Sequence, residues 1–91
     1  MGKIVAQYDI MPESTDVDLD AVIKKLPTIL PAGVELMDGE TKILPVAFGL
    51  MKVNAGFVID DSDEMAGSKL EDALASIEGI ETVSCTSSTN L

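Results

Sequence analysis

The chain is 91 residues long and 46% hydrophobic, with Tyr8, Phe48 and Phe57 as its aromatics and no tryptophan. That length predicts one domain, 1–91, whose core is built from Val, Ile, Leu, Ala and Met in two thin layers. Sixteen acidic residues against six lysines, with no arginine and no histidine, give a formal net charge of -10; phosphate backbones are repelled, the bidentate base readers are missing, and direct nucleic-acid binding is not expected.

The N-terminus MGKIVAQYDIMP contains no long apolar run, so neither a signal peptide nor a membrane span is expected. Gly2 invites a myristoylation reading, but Ala6 stands where that motif takes Ser or Thr. Residues 3 to 11 alternate with period two, placing Ile4, Ala6, Tyr8 and Ile10 on the inner face of a first strand that Pro12 stops. A helix follows, with Ser14, Thr15 or Asp16 as cap and an apolar stripe of Leu19, Val22, Ile23, Leu26 and Leu30. Pro27 predicts a kink or stop near Leu26, and Pro31 and Gly33 close the segment.

VELM begins a short strand ending in the turn former Asp38-Gly39. In KILPVAFGLMKVNAGFVIDD, the odd positions Gly49, Met51, Val53, Ala55, Phe57 and Ile59 form a core face, so Phe48, Leu50 and Lys52 fall on the uncovered face or at its rim. A second helix, capped by Asp61, Ser62 or Asp63, carries Ala66, Leu70, Ala73, Leu74 and Ile77 on one stripe, with Gly79 at its end. The last segment, IETVSCTSSTNL, reads as a weaker strand with Val83 and Cys85 on one face. As the only cysteine, Cys85 excludes an internal disulfide and reads as a small core residue in a reducing cytoplasm. Strand, helix, strand, strand, helix, strand is the α+β, ferredoxin-like split β-α-β sandwich: a four-stranded antiparallel sheet with two helices on one face.

Chemistry-bearing motifs are sparse. DVDLDAVIKKLP spaces its aspartates like a calcium loop, but Ala21 replaces the turn glycine and Pro27 the bidentate glutamate, so an acidic helix start is the better reading. Asp60, Asp61, Asp63 and Glu64 invite the same reading, with weak attraction for a divalent cation as the alternative. Without His or Arg, no nucleophile with its base and no anion clamp can be assembled, so no enzyme, cofactor or metal site is expected. Phe48 is the exception: an aromatic off the core face reads either as packing on a neighbouring loop or as a binding anchor.

MPES followed by DVDLD, then KILPVAFG, GFVIDD and IEGIETV, in this order over nearly the whole chain, resembles the archaeal translation elongation factor 1-beta family. That family is the stand-alone counterpart of the C-terminal exchange domain of the eukaryotic factor. The resemblance implies a guanine-nucleotide exchange factor acting on the GTPase elongation factor 1-alpha; we expect it to be cytoplasmic and a monomer when free. It also implies that Phe48 docks on the nucleotide domain of that partner, and we expect Lys42, Leu50 and Lys52 as supporting contacts. In eukaryotic relatives a lysine before the C-terminal residue is thrust at the magnesium site; the matching residue here is Asn90, which lacks the charge. The alternative is a small-ligand-binding or regulatory module of the same fold, self-associating through its open sheet face.

Overall fold

A computed structural model describes residues 2–37, 39–60, 62 and 65–90. Its elements are β1 (Lys3–Pro12), α1 (Leu19–Lys25) continued by a 3-10 turn (Leu26–Thr28), β2 (Val34–Leu36), β3 (Lys42–Ala47), β4 (Leu50–Asp60), α2 (Ala66–Ala75) and β5 (Ile80–Asn90). The sheet is antiparallel in the order β2-β4-β1-β5, as the split β-α-β arrangement requires.

The sheet has five strands rather than the expected four, because the edge beside β4 is shared. β2 pairs with the end of β4 (Val34 with Ile59, Leu36 with Phe57), whereas β3 pairs with its start (Lys42 with Asn54, Leu44 with Lys52, Ala47 with Leu50). Both run the same way along β4, so the expected edge strand is present but interrupted. Between them the chain swings out and lies on β4 at Gly56, where an added Cβ would stand 3.1 Å from Glu40 Cβ. A side chain there would push the excursion away from the sheet. Of the predicted Asp38-Gly39 turn, Gly39 has a φ of +78°; Asp38 lies outside the described residues.

The core follows the predicted periodicities. Ala6, Tyr8 and Ile10 of β1 and Val53, Ala55, Phe57 and Ile59 of β4 are buried beneath Val22 and Leu26 on one side and Ala66, Leu70, Leu74 and Ile77 on the other. The Tyr8 and Phe57 rings meet edge to face, with centroids 5.9 Å apart and planes at 69°, a geometry the ring quadrupoles favour. The Tyr8 hydroxyl donates to Glu71 Oε2 at 3.1 Å. Burial, with the Glu71 carboxylate next, pushes the phenol well above its ordinary value.

Both helix starts differ from expectation. The α1 cap is Asp18, whose carboxylate accepts from the backbone N–H groups of Asp20 and Ala21, whereas Ser14 accepts from Asp16 within the preceding loop. α2 begins after Met65, which makes no side-chain cap hydrogen bond; Asp61 and Asp63 lie outside the described residues. Pro27 acts as predicted, since its missing N–H turns the last stretch into the 3-10 turn.

Two expectations about the C-terminal segment are corrected. β5 is not a minor strand, for it runs alongside β1 from Pro12–Ile80 to Ile4–Asn90, with a register shift between Gln7 and Tyr8. Cys85 stands opposite Tyr8 on the helix side, yet it is exposed. β5 pairs only with β1 among the described strands, and an edge strand gives its inner face little cover.

Candidate partner-binding site

The expected docking residue occupies a place that the alternating pattern does not reveal. Phe48 and Gly49 form the two-residue turn joining β3 to β4, with φ of +53° and +81°. Positive φ at both positions is the requirement of a type I′ hairpin turn, whose backbone twist matches that of the flanking strands. An added Cβ at Gly49 would meet nothing within 4 Å, so the glycine serves the turn conformation rather than a close approach. Phe48 is the only non-glycine residue with positive φ among the described residues. A bulky side chain in this conformation costs about 1 kcal/mol or more relative to glycine.

The Phe48 ring recovers nothing by burial. Its relative accessibility is 104%, beyond that of every other large apolar side chain described. It therefore lies neither in the core nor in a cluster with the neighbouring loop, but projects from the hairpin tip. Val46 and Ile43 of β3 are also partly exposed, at 42% and 39%.

The other expected contacts fall in different settings. Leu50 is half-buried opposite Ala47, one residue past the turn, and Lys42 is exposed on the outer strand opposite Asn54. Lys52 is engaged inside the chain: its Nζ donates to Asp9 Oδ2 at 2.6 Å, while Asn54 Nδ2 donates to Asp9 Oδ1 at 2.8 Å. Partial burial would raise the Asp9 pKa, but the two hydrogen bonds and the Lys52 charge outweigh it and hold the carboxyl below its usual range. This network occupies the middle of the open sheet face, so that face is polar where a self-associating module would need an apolar patch.

Asn90 ends β5 opposite Ile4, which in turn pairs with Ile59 at the far end of β4. Phe48 adjoins Leu50 at the near end. At about 3.3 Å per residue, the two expected contacts are separated by roughly 30 Å along the sheet. Phe48, Leu50 and Lys42 thus belong to one hairpin, and Asn90 belongs to the opposite end of the molecule. Asp60 lies at that far end as well, its carboxyl held below the usual range by the backbone N–H of Ser62 at 3.0 Å. Asp61, Asp63 and Glu64 lie outside the described residues, so the acidic run around Asp60 forms no described site. Among the described residues no three acidic or cysteine side chains gather where they could hold a metal ion, and no helix is long and apolar enough to cross a membrane.

Comparison with known proteins places this hairpin in context. The sequence profile of the EF-1 guanine nucleotide exchange domain matches residues 5–91. The chain belongs to that family. Among its archaeal relatives, elongation factor 1-beta of Methanothermobacter thermautotrophicus is 38% identical over 86 residues, which is 94% of this chain and 93% of that protein. Elongation factor 1-beta of Methanobrevibacter smithii is 37% identical over 91 residues, covering 100% and 99%. The factor of Haloarcula marismortui is 35% identical over the full length of both chains. The matched region runs from within β1 through β5 and includes the hairpin that carries Phe48.

What the alternating pattern could not supply was the turn. Asn-Gly or Asp-Gly would have announced it, whereas in Phe-Gly only the glycine points to it. Nor does any local signal show that Asp9, far away in sequence, holds Lys52.

Proposed function

We propose that the chain spans one exchange domain, acts on elongation factor 1-alpha, and docks through Phe48. Membership of the family makes it a guanine-nucleotide exchange factor for that GTPase. One observation carries the docking assignment: Phe48 is held fully exposed, in a backbone conformation unfavourable to it, at the tip of a hairpin. A folded chain gains nothing from such a placement on its own, but a partner pocket that buries the ring would. Exposed aromatics of this kind are typical binding hot spots.

The exchange itself requires linkage rather than chemistry. A factor that binds the nucleotide-free GTPase more tightly than the loaded one lowers nucleotide affinity by the same ratio, tenfold for each ~1.4 kcal/mol of coupling. GTPases grip GDP through phosphate-loop amides, a lysine and a magnesium ion, so disturbing those loops weakens the grip. No catalytic constellation is needed, and we assign the chain no enzymatic step, cofactor, nucleic-acid contact or membrane contact. We place it in the cytoplasm, as a monomer when free.

Leu50 adjoins the anchor, and Lys42 stands farther back on the same hairpin, opposite Asn54. Lys52 supports it indirectly, because its ammonium is committed to Asp9. Asn90, about one sheet length away, contacts the GTPase separately. An amide can donate and accept there but cannot supply the positive charge that competes with magnesium.

Stopped-flow release of a fluorescent GDP analogue from purified archaeal elongation factor 1-alpha tests the reading. Release should accelerate with the concentration of this protein and saturate in the micromolar range. An unchanged rate at saturating protein would sink it.

A further inference from the structure

Between the loop after β1, the exposed side of α1 and the turn leading from α2 into β5 lies a groove of about 510 Å³. Its floor is apolar, made by the half-buried Val17 and the buried Val22 and Ile77, with the exposed Ala21 at its edge and the exposed Glu13, Asp16 and Glu78 on its rim. A second hollow shares Ser14, Val17 and Asp18 with it and continues to Ile43 and Gly49, at the foot of the Phe48 turn. The two hollows adjoin through those shared residues.

We propose that this groove receives a short segment of the partner in which lysines or arginines flank an aliphatic side chain. The assignment follows from the lining. An aliphatic group can cover the floor between the buried Val22 and Ile77, and its cationic neighbours then meet the rim carboxylates, against which the groove sets only Lys25. A divalent ion is a poorer occupant, because the described carboxylates do not gather into a set of three. A second copy of the chain brings another net charge of -10 and is repelled. Identifying the partner as the GTPase rests on the exchange reading; the chemistry of the segment does not.

Two measurements separate these claims. In the full chain labelled with nitrogen-15, an acetylated and amidated Lys-Leu-Lys-Leu-Lys peptide should shift the amides of Val17, Ala21, Ile77 and Gly79 saturably. Ala21→Arg puts a cation on an exposed helical position over the floor, and should abolish those shifts while leaving the circular dichroism unchanged. Shifts scattered over the surface, or persisting in Ala21→Arg, overturn the groove. In the exchange assay, the variant combining Glu13→Gln, Asp16→Asn and Glu78→Gln should raise the half-saturating concentration about tenfold at about 0.1 M salt with the maximal rate unchanged. The gap should narrow at about 0.5 M salt, where screening shortens the reach of surface charge. A wild-type half-saturating concentration overturns the assignment to the GTPase. Peptide binding in the groove without any accelerated GDP release supports the groove chemistry and removes only the exchange reading.

Discussion

At Phe48 two costs coincide: a left-handed backbone and an apolar ring in water. Each is separately testable. Phe48→Ala removes the ring but keeps a Cβ, so the thermal midpoint should change little, while the half-saturating concentration in GDP release should rise about 30-fold, the equivalent of ~2 kcal/mol of lost binding. A large drop in the midpoint would instead mean that the ring belongs to the fold. Phe48→Asn goes further, since Asn tolerates positive φ and Asn-Gly is the preferred type I′ pair. It should raise stability in urea denaturation by a few tenths to about 1 kcal/mol while slowing exchange as Phe48→Ala does. At the other end, Asn90→Lys places a charge where the amide now stands opposite Ile4. Release should quicken several-fold if that position reaches the magnesium site; an identical rate would show that it does not.

Among the elements, those with a strong period were legible and those defined by their neighbours were not. The α2 stripe and the inner faces of β1 and β4 could be read because burial repeats with the period of the element. Cys85 shows the limit: its alternation correctly puts it opposite Tyr8, but exposure depends on whether another strand lies beyond β5, which no local pattern states. The broken edge made by β2 and β3 escaped for a similar reason, since Pro45 and a turn without Asn or Asp hid the hairpin. The exchange family was legible from block order, yet the 30 Å separation of Phe48 from Asn90 required the register. The helix cap gives the element-scale test. Several acidic or hydroxyl residues precede α1, and only Asp18 accepts from its first-turn N–H groups. Asp18→Ala should therefore cost about 1 kcal/mol in urea denaturation, whereas Thr15→Ala should stay within about 0.5 kcal/mol. Equal losses would mean the cap is shared.

On the scale of the whole molecule the chain is a rod, 43 Å long and about 20 Å across, carrying a net charge of -10. Folding crowds that charge, so screening it should stabilise the chain: raising NaCl from about 0.1 to 1 M shortens the Debye length from ~10 to ~3 Å and should lift the thermal midpoint. Against this diffuse repulsion stands the local attraction at Asp9, and acid separates the two because they respond with opposite signs. Protonating the many exposed carboxylates relieves repulsion. Protonating Asp9 loses its pairing with Lys52 and Asn54. Since the folded Asp9 pKa is depressed, its contribution is fully present above the unfolded value of about 4 and disappears as pH falls through the folded value. With side-chain exposures of 16% for Asp9 and 25% for Lys52, the contribution should be on the order of 1 kcal/mol. Wild type and Asp9→Asn compared by urea denaturation at stepped pH should therefore differ most near neutrality and converge as the pH falls below the ordinary carboxylate range. A difference that stayed constant across that range would assign the loss to packing or to the Asn54 hydrogen bond geometry, and the carboxylate charge would have no part in holding β1 to β4.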